Sequence, residues 1–150
     1  MIGAVIVAYR SIGKELIRTT EYIVGETRDI LEVTIDWRMD SIEARRSISG
    51  AIKQTDQGDG VIILTGFFGG TPSNVAFSFL NRAKLEVITG VNLPMVLTYW
   101  NRRQNYGLAE LAKLIQLSGT RSIVAARALM ETKGVFETPT SDGNRRVSQK

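Results

Sequence analysis

Four short runs rich in apolar and β-branched residues, each followed by a stretch with helical spacing, constrain the fold of this chain more than any other feature. The runs are Ile2–Val7, Leu31–Ile35, Val61–Thr65 and Leu85–Thr89. Val61–Thr65 has no polar residue before its last position, which is typical of a strand buried on both faces in the middle of a parallel sheet. Strands that alternate with helices predict a doubly wound α/β domain, with a mainly parallel four-stranded sheet and helices on both faces.

Capping and turn-forming residues delimit the first two helices. The first is predicted between Ser11, a capping residue, and Gly25, a favoured residue just past a helix end. Its predicted inner side consists of Ile12, Leu16, Ile17, Ile23 and Val24. The second helix is predicted from Asp40 or Ser41 to about Thr55. Its predicted apolar positions are Ile42, Ile48 and Ile52.

The later helices include one that follows a glycine-rich loop. In the loop Gly66–Pro72, Thr71 is a capping residue and the proline suits the first helical turn. The helix that follows is predicted to run to about Arg82. Residues 108–131 are predicted to hold two more helices, divided near Gly119.

The ends of strands 1 and 3 define the predicted binding crevice. In an open α/β sheet, ligands bind at the carboxyl ends of the strands, where the strand order reverses. For the common order 2-1-3-4 this point lies between strands 1 and 3, so that Ala8–Ser11 faces Gly66–Thr71. The candidate binding residues on the first side are Tyr9, Arg10 and Ser11.

Both sides of the crevice allow two interpretations. The backbone amides of Gly69, Gly70 and Thr71 at the start of a helix suit an anion, whereas the two glycines alone suit a tight turn. Arg10 is either a solvated surface residue or part of the same anion site. A cation in the first helical turn opposes the macrodipole by about 0.3–1 kcal/mol, and a bound anion would offset that cost.

The pair Phe67-Phe68 also allows two interpretations. Aromatic residues in a predicted loop often belong to the core. At the mouth of a crevice, exposed aromatic side chains are typical of a contact for a partner protein. The second interpretation makes Phe67 and Phe68 candidate partner-binding residues.

The absence of two residue types removes much of the enzyme repertoire. The chain has no histidine and no cysteine among its 150 residues. It therefore lacks the commonest general base, thiolate nucleophiles, disulfides and the usual zinc ligands. The Gly-Lys-Ser/Thr of a Walker loop and the glycine fingerprint of dinucleotide-binding folds are also missing. We expect no metal site and no cofactor.

The charge and hydropathy patterns argue against two further classes of partner. The net charge is +4, but the basic residues form no long run, which argues against nucleic acid. No apolar stretch approaches the roughly 20 residues that cross a bilayer, and no signal segment precedes the first strand. The sequence therefore predicts a cytoplasmic protein with one domain over residues 1–131 and a tail over residues 132–150.

Two segments carry a resemblance to a known family. Residues 61–76, VIILTGFFGGTPSNVA, and residues 86–97, EVITGVNLPMVL, contain a Gly-Gly-Thr-Pro-x-Asn turn and a Gly-x-Asn-hydrophobic-Pro-Met turn. These turns resemble the signature segments of mannose-family IIA domains of the bacterial phosphoenolpyruvate-dependent sugar phosphotransferase system, and the likeness covers about residues 2–130. The second turn adds Asn92 to the candidate site. The resemblance implies a doubly wound domain that forms a homodimer and receives a phosphoryl group from the phosphocarrier protein HPr on a histidine.

The family's reactive pair is missing from this sequence. When the first strand and helix are matched to the family, the phosphoacceptor histidine falls at Arg10. The family's supporting aspartate, at the end of strand 3, falls at Gly66. A guanidinium has no free lone pair with which to attack phosphorus. The leading hypothesis is a IIA-like protein, unable to accept a phosphoryl group on histidine, that regulates or docks on phosphotransferase components.

Two alternatives stay open. In one, the chain is an active phosphoryl-transfer component of a sugar uptake system that uses Tyr9, Ser11 or Thr71 as acceptor, although none has an evident base nearby. In the other, Arg10 and the loop amides bind phosphate, a phosphorylated metabolite or a phosphorylated side chain of a partner. This anion site is compatible with the leading hypothesis.

The tail bears on the oligomeric state. Its composition, which includes Pro139, predicts disorder past about Glu137. Gly134–Thr138 has the pattern of a short strand, and in the resembling family a late strand of this kind is exchanged between subunits. The resemblance therefore implies a homodimer in which the exchanged strand covers a sheet edge.

Overall fold

The computed structural model describes residues 1–134. Its strands are β1 (Gly3–Tyr9), β2 (Ile30–Ile35), β3 (Val61–Thr65) and β4 (Leu85–Ile88). Its helices are α1 (Ile12–Val24), α2 (Ser41–Thr55), α3 (Thr71–Phe77), α4 (Leu93–Arg102), α5 (Leu108–Arg121) and α6 (Ala126–Thr132). The sheet order is β2-β1-β3-β4 and every pair is parallel, which confirms the predicted topology.

The sheet is covered on both faces, which explains the unbroken apolar character of its central strands. All five residues of β3 are buried. Alternate residues of β1 and β3, such as Val7 and Ile63, pack on one side with Ile48 of α2. The residues between them pack on the other side in a second cluster that includes Tyr99 of α4 and Ile115 of α5. Two separate cores therefore fix the sheet between two helical layers.

The strand register brings the predicted crevice together. Val7 pairs with Thr65, so β1 and β3 end beside one another at the same edge of the sheet. Because both strands are parallel, the loops that follow them start at this carboxyl edge. The candidate segments at residues 8–11 and 66–71 are therefore neighbours, as the predicted strand order requires.

Three apolar residues that the sequence analysis placed on inner helix faces are exposed. Ile12 and Ile23 of α1 are 52% and 54% exposed, and Ile42 of α2 is 70% exposed. In α1 the buried positions are Gly13 and Thr20. Leu16 and Ile17 of α1 pack against the core as predicted. The prediction was wrong for Ile12 and Ile23, because α1 also approaches the sheet through a glycine and through a threonine whose hydroxyl is hydrogen-bonded within the helix.

The details of Gly13 and Thr20 support that explanation. A Cβ at Gly13 would lie 3.3 Å from Cγ2 of Ile6 in β1, so the helix backbone lies close to the strand. The Thr20 hydroxyl donates to the carbonyl of Leu16 at 2.8 Å, which allows it to be buried without an unsatisfied donor.

Three details of the predicted helix boundaries are also wrong. α3 ends at Phe77 rather than near Arg82, and Gly70, not Thr71, occupies its N-cap position. Gly119 lies inside α5 and does not divide the last two helices. A Cβ at Gly119 would lie 2.6 Å from Cγ of Met95, so this glycine permits close packing of α5 on α4.

A polar network fixes the opposite, amino-terminal edge of the sheet. The Tyr99 hydroxyl lies 2.9 Å from the carbonyl of Ile2 and 3.1 Å from that of Asp29, and burial raises the pKa of Tyr99 to about 12. The Arg103 guanidinium is 97% buried and donates to the carbonyl of Arg28 and the carboxylate of Asp29. The end of α4 is thereby attached to the segment that enters β2.

Candidate functional site

The turn after β1 presents Arg10 at the surface. Arg10 is exposed and has a φ of 50°, in the left-handed region that few residues other than glycine adopt. Its carbonyl accepts a hydrogen bond of 3.1 Å from the hydroxyl of Thr34. Ser11 occupies the N-cap position of α1, but its side chain makes no capping hydrogen bond. The backbone of this turn is thus held by its neighbour on β2, while the Arg10 side chain is solvent-accessible.

The loop after β3 presents two aromatic side chains. Phe67 is 63% exposed and Phe68 is 75% exposed. The Phe67 ring lies 6.3 Å from the half-buried ring of Tyr9, and the Phe68 ring lies 6.1 Å from that of Phe77. Of the two sequence interpretations, the one that placed these rings in the core is wrong. The exposed pair is suited to contact a partner.

The glycine-rich turn has a tighter internal structure than an open anion cradle. The Gly69 amide donates to Oγ of Ser73 at 3.1 Å, and that hydroxyl donates to the Gly70 carbonyl at 2.9 Å. A Cβ at Gly70 would lie 2.9 Å from the Phe67 ring, so the glycine allows the ring to cover the turn. One of the three predicted amide donors is therefore used within the loop, and Thr71 is exposed beside it.

Ser73 and Trp37 are two residues of this edge that the sequence analysis missed. Ser73 is fully buried and fixes the turn, and its position in the first turn of α3 was the available signal. Trp37 is 81% exposed in the loop after β2, with the Arg38 guanidinium 4.9 Å from its ring centre. Trp37 lies two residues after the end of β2, and Ser73 lies in the helix that follows the loop after β3.

Asn92 has a structural role in this fold. Its side-chain oxygen accepts a hydrogen bond from the Met95 amide at 3.2 Å and so caps α4. Its side-chain nitrogen donates to the carbonyl of Gly119 in α5, also at 3.2 Å. Asn92 is a candidate binding residue in the sequence analysis, but in the structure both polar ends of its side chain are used within the protein.

The position matched to the family's supporting aspartate has room for a side chain. A Cβ at Gly66 would meet no other heavy atom within 4 Å. The loop around it is anchored, because the Gly66 carbonyl accepts from the Gly90 amide and the Thr65 carbonyl accepts from the Val91 amide at 2.8 Å. Within residues 1–134 no group of acidic side chains is arranged to hold a metal ion.

A comparison of the sequence with protein-family models identifies the family of this chain. Residues 3–116 match the model of the EIIA-man family, described as the fructose IIA component of the phosphotransferase system. The chain belongs to this family. The match includes both crevice loops and the turn that contains Arg10, and it confirms the resemblance inferred from the sequence. Members of the family act together with other phosphotransferase components.

Individual relatives agree with this assignment. The chain is 26% identical over 124 residues to the fructose-specific EIIA component of Bacillus subtilis (strain 168). The aligned region covers 81% of this chain and 84% of that protein. The fold is similar to EIIA from Streptococcus agalactiae, with a TM-score of 0.77, 22% identity and coverage of 85% of this chain and 99% of that chain. It is also similar to a mannose/sorbose-specific IIA subunit from Enterococcus faecalis, with a TM-score of 0.71, 21% identity and coverage of 82% and 92%.

Within residues 1–134, no helix combines the length and the apolar character that a membrane span requires.

Proposed function

We propose that this chain is a IIA protein of the phosphotransferase system that accepts no phosphoryl group on histidine and acts as a regulatory or docking subunit. The observation that carries the proposal is the absence of histidine from all 150 residues in a chain that belongs to a IIA family. Phosphohistidine transfer requires an imidazole nitrogen as nucleophile. At the matched position, Arg10 offers a protonated guanidinium without a free lone pair.

The chemistry of the exposed turn supports a role in binding a phosphorylated partner. Arginine pairs with a phosphoryl group through two parallel hydrogen bonds, and Arg10 is exposed at the turn after β1. Phe67 and Phe68 lie at the same edge of the sheet and provide apolar contact area around that cation. We therefore expect the partner to be a phosphocarrier protein such as HPr, bound more tightly when it carries its phosphoryl group.

Titration of the chain with phosphorylated and unphosphorylated HPr tests this docking. We expect Phe67→Ser and Phe68→Ser each to weaken binding of both forms roughly tenfold, because each removes a large exposed aromatic contact. Arg10→Gln should leave the unphosphorylated form unaffected and abolish the preference for the phosphorylated one. Tyr22→Ser is the matched control, since Tyr22 is 91% exposed near the end of α1. Equal binding by all four variants and the native chain would contradict the docking surface.

The free edge of β4 supports the homodimer that the sequence implied. β4 is an end strand of the sheet, and a groove of about 610 Å³ beside it is lined by β4, Phe77 and one side of α5. No residue of α6 is buried, and Ile123 and Val124 before it are 80% and 51% exposed. We propose that the late strand of a second copy fills this groove. The segment predicted to form that strand lies, apart from Gly134, outside the described residues.

Two truncations test the exchanged strand by light scattering. We expect truncation after Glu131 to shift the chain towards monomer and to lower its stability, because an unpaired strand edge is exposed. Truncation after Thr140 keeps the predicted strand and should change neither property. A dimer that persists without residues 132–150 would contradict the exchange, and a monomeric full-length chain would contradict the dimer itself.

A further inference from the structure

A groove between α4 and α5, away from the sheet edge that carries Arg10, has the composition of an anion site. It is open to solvent, has a volume of about 410 Å³, and its walls include Arg102 on α4 and Arg121 on α5. No aspartate or glutamate is among the described residues that line it. Each arginine lies in the last turn of its helix, where a cation favours the helix dipole. The dipole therefore accounts for where each cation lies, while the groove between them supplies neither with a carboxylate partner.

The segment of the chain that forms this groove carries an excess of cations. Residues 87–130 hold one carboxylate, Glu110. Over the same range the cations are Arg102, Arg103, Lys113, Arg121 and Arg127. Residues 1–86, in contrast, hold ten cations and eleven carboxylates. A cleft lined by one sign of charge concentrates counter-ions, so this groove favours an anionic ligand.

The hydrogen bonds of the groove leave its cationic donors available. Among residues 1–134, neither Arg102 nor Arg121 forms an ion pair, whereas Arg103 is paired with Asp29. The Thr98 hydroxyl donates to Oγ of Ser118 at 2.7 Å, and the Ser118 hydroxyl in turn lies 3.3 Å from the Pro94 carbonyl. Those two hydroxyl hydrogens are used within the protein, whereas the guanidinium groups of Arg102 and Arg121 have no carboxylate partner among the described residues.

We infer that this groove binds a small molecule that carries a phosphate group. The walls of this groove carry two guanidinium groups and no carboxylate, and arginine forms bidentate charge-assisted hydrogen bonds to phosphate. The half-buried phenol of Tyr106 also lines the cavity and supplies a further polar group. The inference is independent of the docking proposed for Arg10, because it concerns different elements and a different ligand class.

The test is an NMR and calorimetric titration of the full-length chain with inorganic phosphate and, separately, with a hexose monophosphate. We expect saturable binding with shifts of amides in residues 98–122. Arg102→Gln and Arg121→Gln should each weaken it roughly tenfold or more. Arg127→Gln, at an exposed cation of α6 outside the groove, is the matched control and should leave this binding unchanged. The uncharged hexose should not bind, and tighter binding of the hexose monophosphate than of inorganic phosphate would identify a phosphorylated metabolite as the preferred source.

Several outcomes would overturn the inference. One is the absence of saturable binding of either phosphate compound at millimolar concentration, with Arg102 and Arg121 intact. Another is binding that Arg10→Gln abolishes and the two groove variants leave unchanged, because the anion would then lie at the carboxyl edge of the sheet. A third is binding to anionic phospholipid vesicles without any response to the soluble phosphates, which would make the basic side a surface contact. Both groove arginines are exposed, so their variants should fold, and thermal melts check that they do.

Discussion

The double variant Arg10→His with Gly66→Asp is expected to become phosphorylated by HPr in a relay with phosphoenolpyruvate and enzyme I. It would restore the nucleophile and the carboxylate that the family places at these two positions. The backbone permits both changes. Histidine is among the residues that tolerate the left-handed conformation of Arg10, and a Cβ at Gly66 meets no atom within 4 Å. The measurement is acid-labile phosphate on the purified variant.

Two controls separate the nucleophile from its support. Arg10→Gln with Gly66→Asp should carry no label, because the carboxamide nitrogen of glutamine is a hydrogen-bond donor and cannot act as a nucleophile in place of an imidazole. Arg10→His alone should be labelled more slowly, by about 10²-fold, since no carboxylate orients the ring or stabilises its charge. A double variant that folds, binds HPr and remains unlabelled would show that the turn does not present the introduced imidazole correctly.

The substitution Arg103→Met is expected to destabilise the fold by about 3 kcal/mol, because it breaks a buried charged network from one side. The Arg103 guanidinium donates to the Arg28 carbonyl at 2.9 Å and to the Asp29 carboxylate at 3.2 Å, and it lies 4.0 Å from the ring centre of Trp100. Without it, the half-buried Asp29 carboxylate loses its ion pair and keeps the hydrogen bond from the Gln57 side chain, and the Arg28 carbonyl loses the guanidinium. Urea denaturation measures the change in the free energy of unfolding.

The neighbouring residue provides a matched control. Arg102→Met removes an exposed cation from the same helix end and should cost less than about 1 kcal/mol. Asp29→Asn in the Arg103→Met background should recover part of the loss, because it removes the uncompensated charge, and asparagine tolerates the φ of 58° at this position. Equal destabilisation by the Arg102 and Arg103 substitutions would contradict the role of the network.

The sheet was predictable from the sequence because burial on both faces requires its central strands to be apolar. Val61–Thr65 lies between two helical layers, so nearly every position must be apolar, and no helical interpretation fits so short a run. Strand order and the position of the crevice then follow from the rules for parallel α/β sheets. The two glycine-containing turns indicated the IIA family, and the match of the family model to residues 3–116 confirms it.

The helix faces and the loop contacts were not predictable in the same way. Gly13 and Gly119 appear in the sequence as breaks in an apolar pattern, yet each permits a helix to approach its neighbour closely. Ser73 and Asn92 could have bound a ligand, but hydrogen bonds within the loops use their side chains. Such roles depend on the three-dimensional neighbours of each residue, and the periodicity of apolar residues in the sequence does not reveal those neighbours.

The most direct test of the proposed function is the intact mass of the native chain after incubation with phosphoenolpyruvate, enzyme I and HPr. We predict an unchanged mass, while the Arg10→His, Gly66→Asp variant in the same reaction gains one phosphoryl group. A stable gain of one phosphoryl group on the native chain would contradict the account. If that group mapped to Tyr9, Ser11 or Thr71, the chain would be an active phosphoryl-transfer component with a non-histidine acceptor.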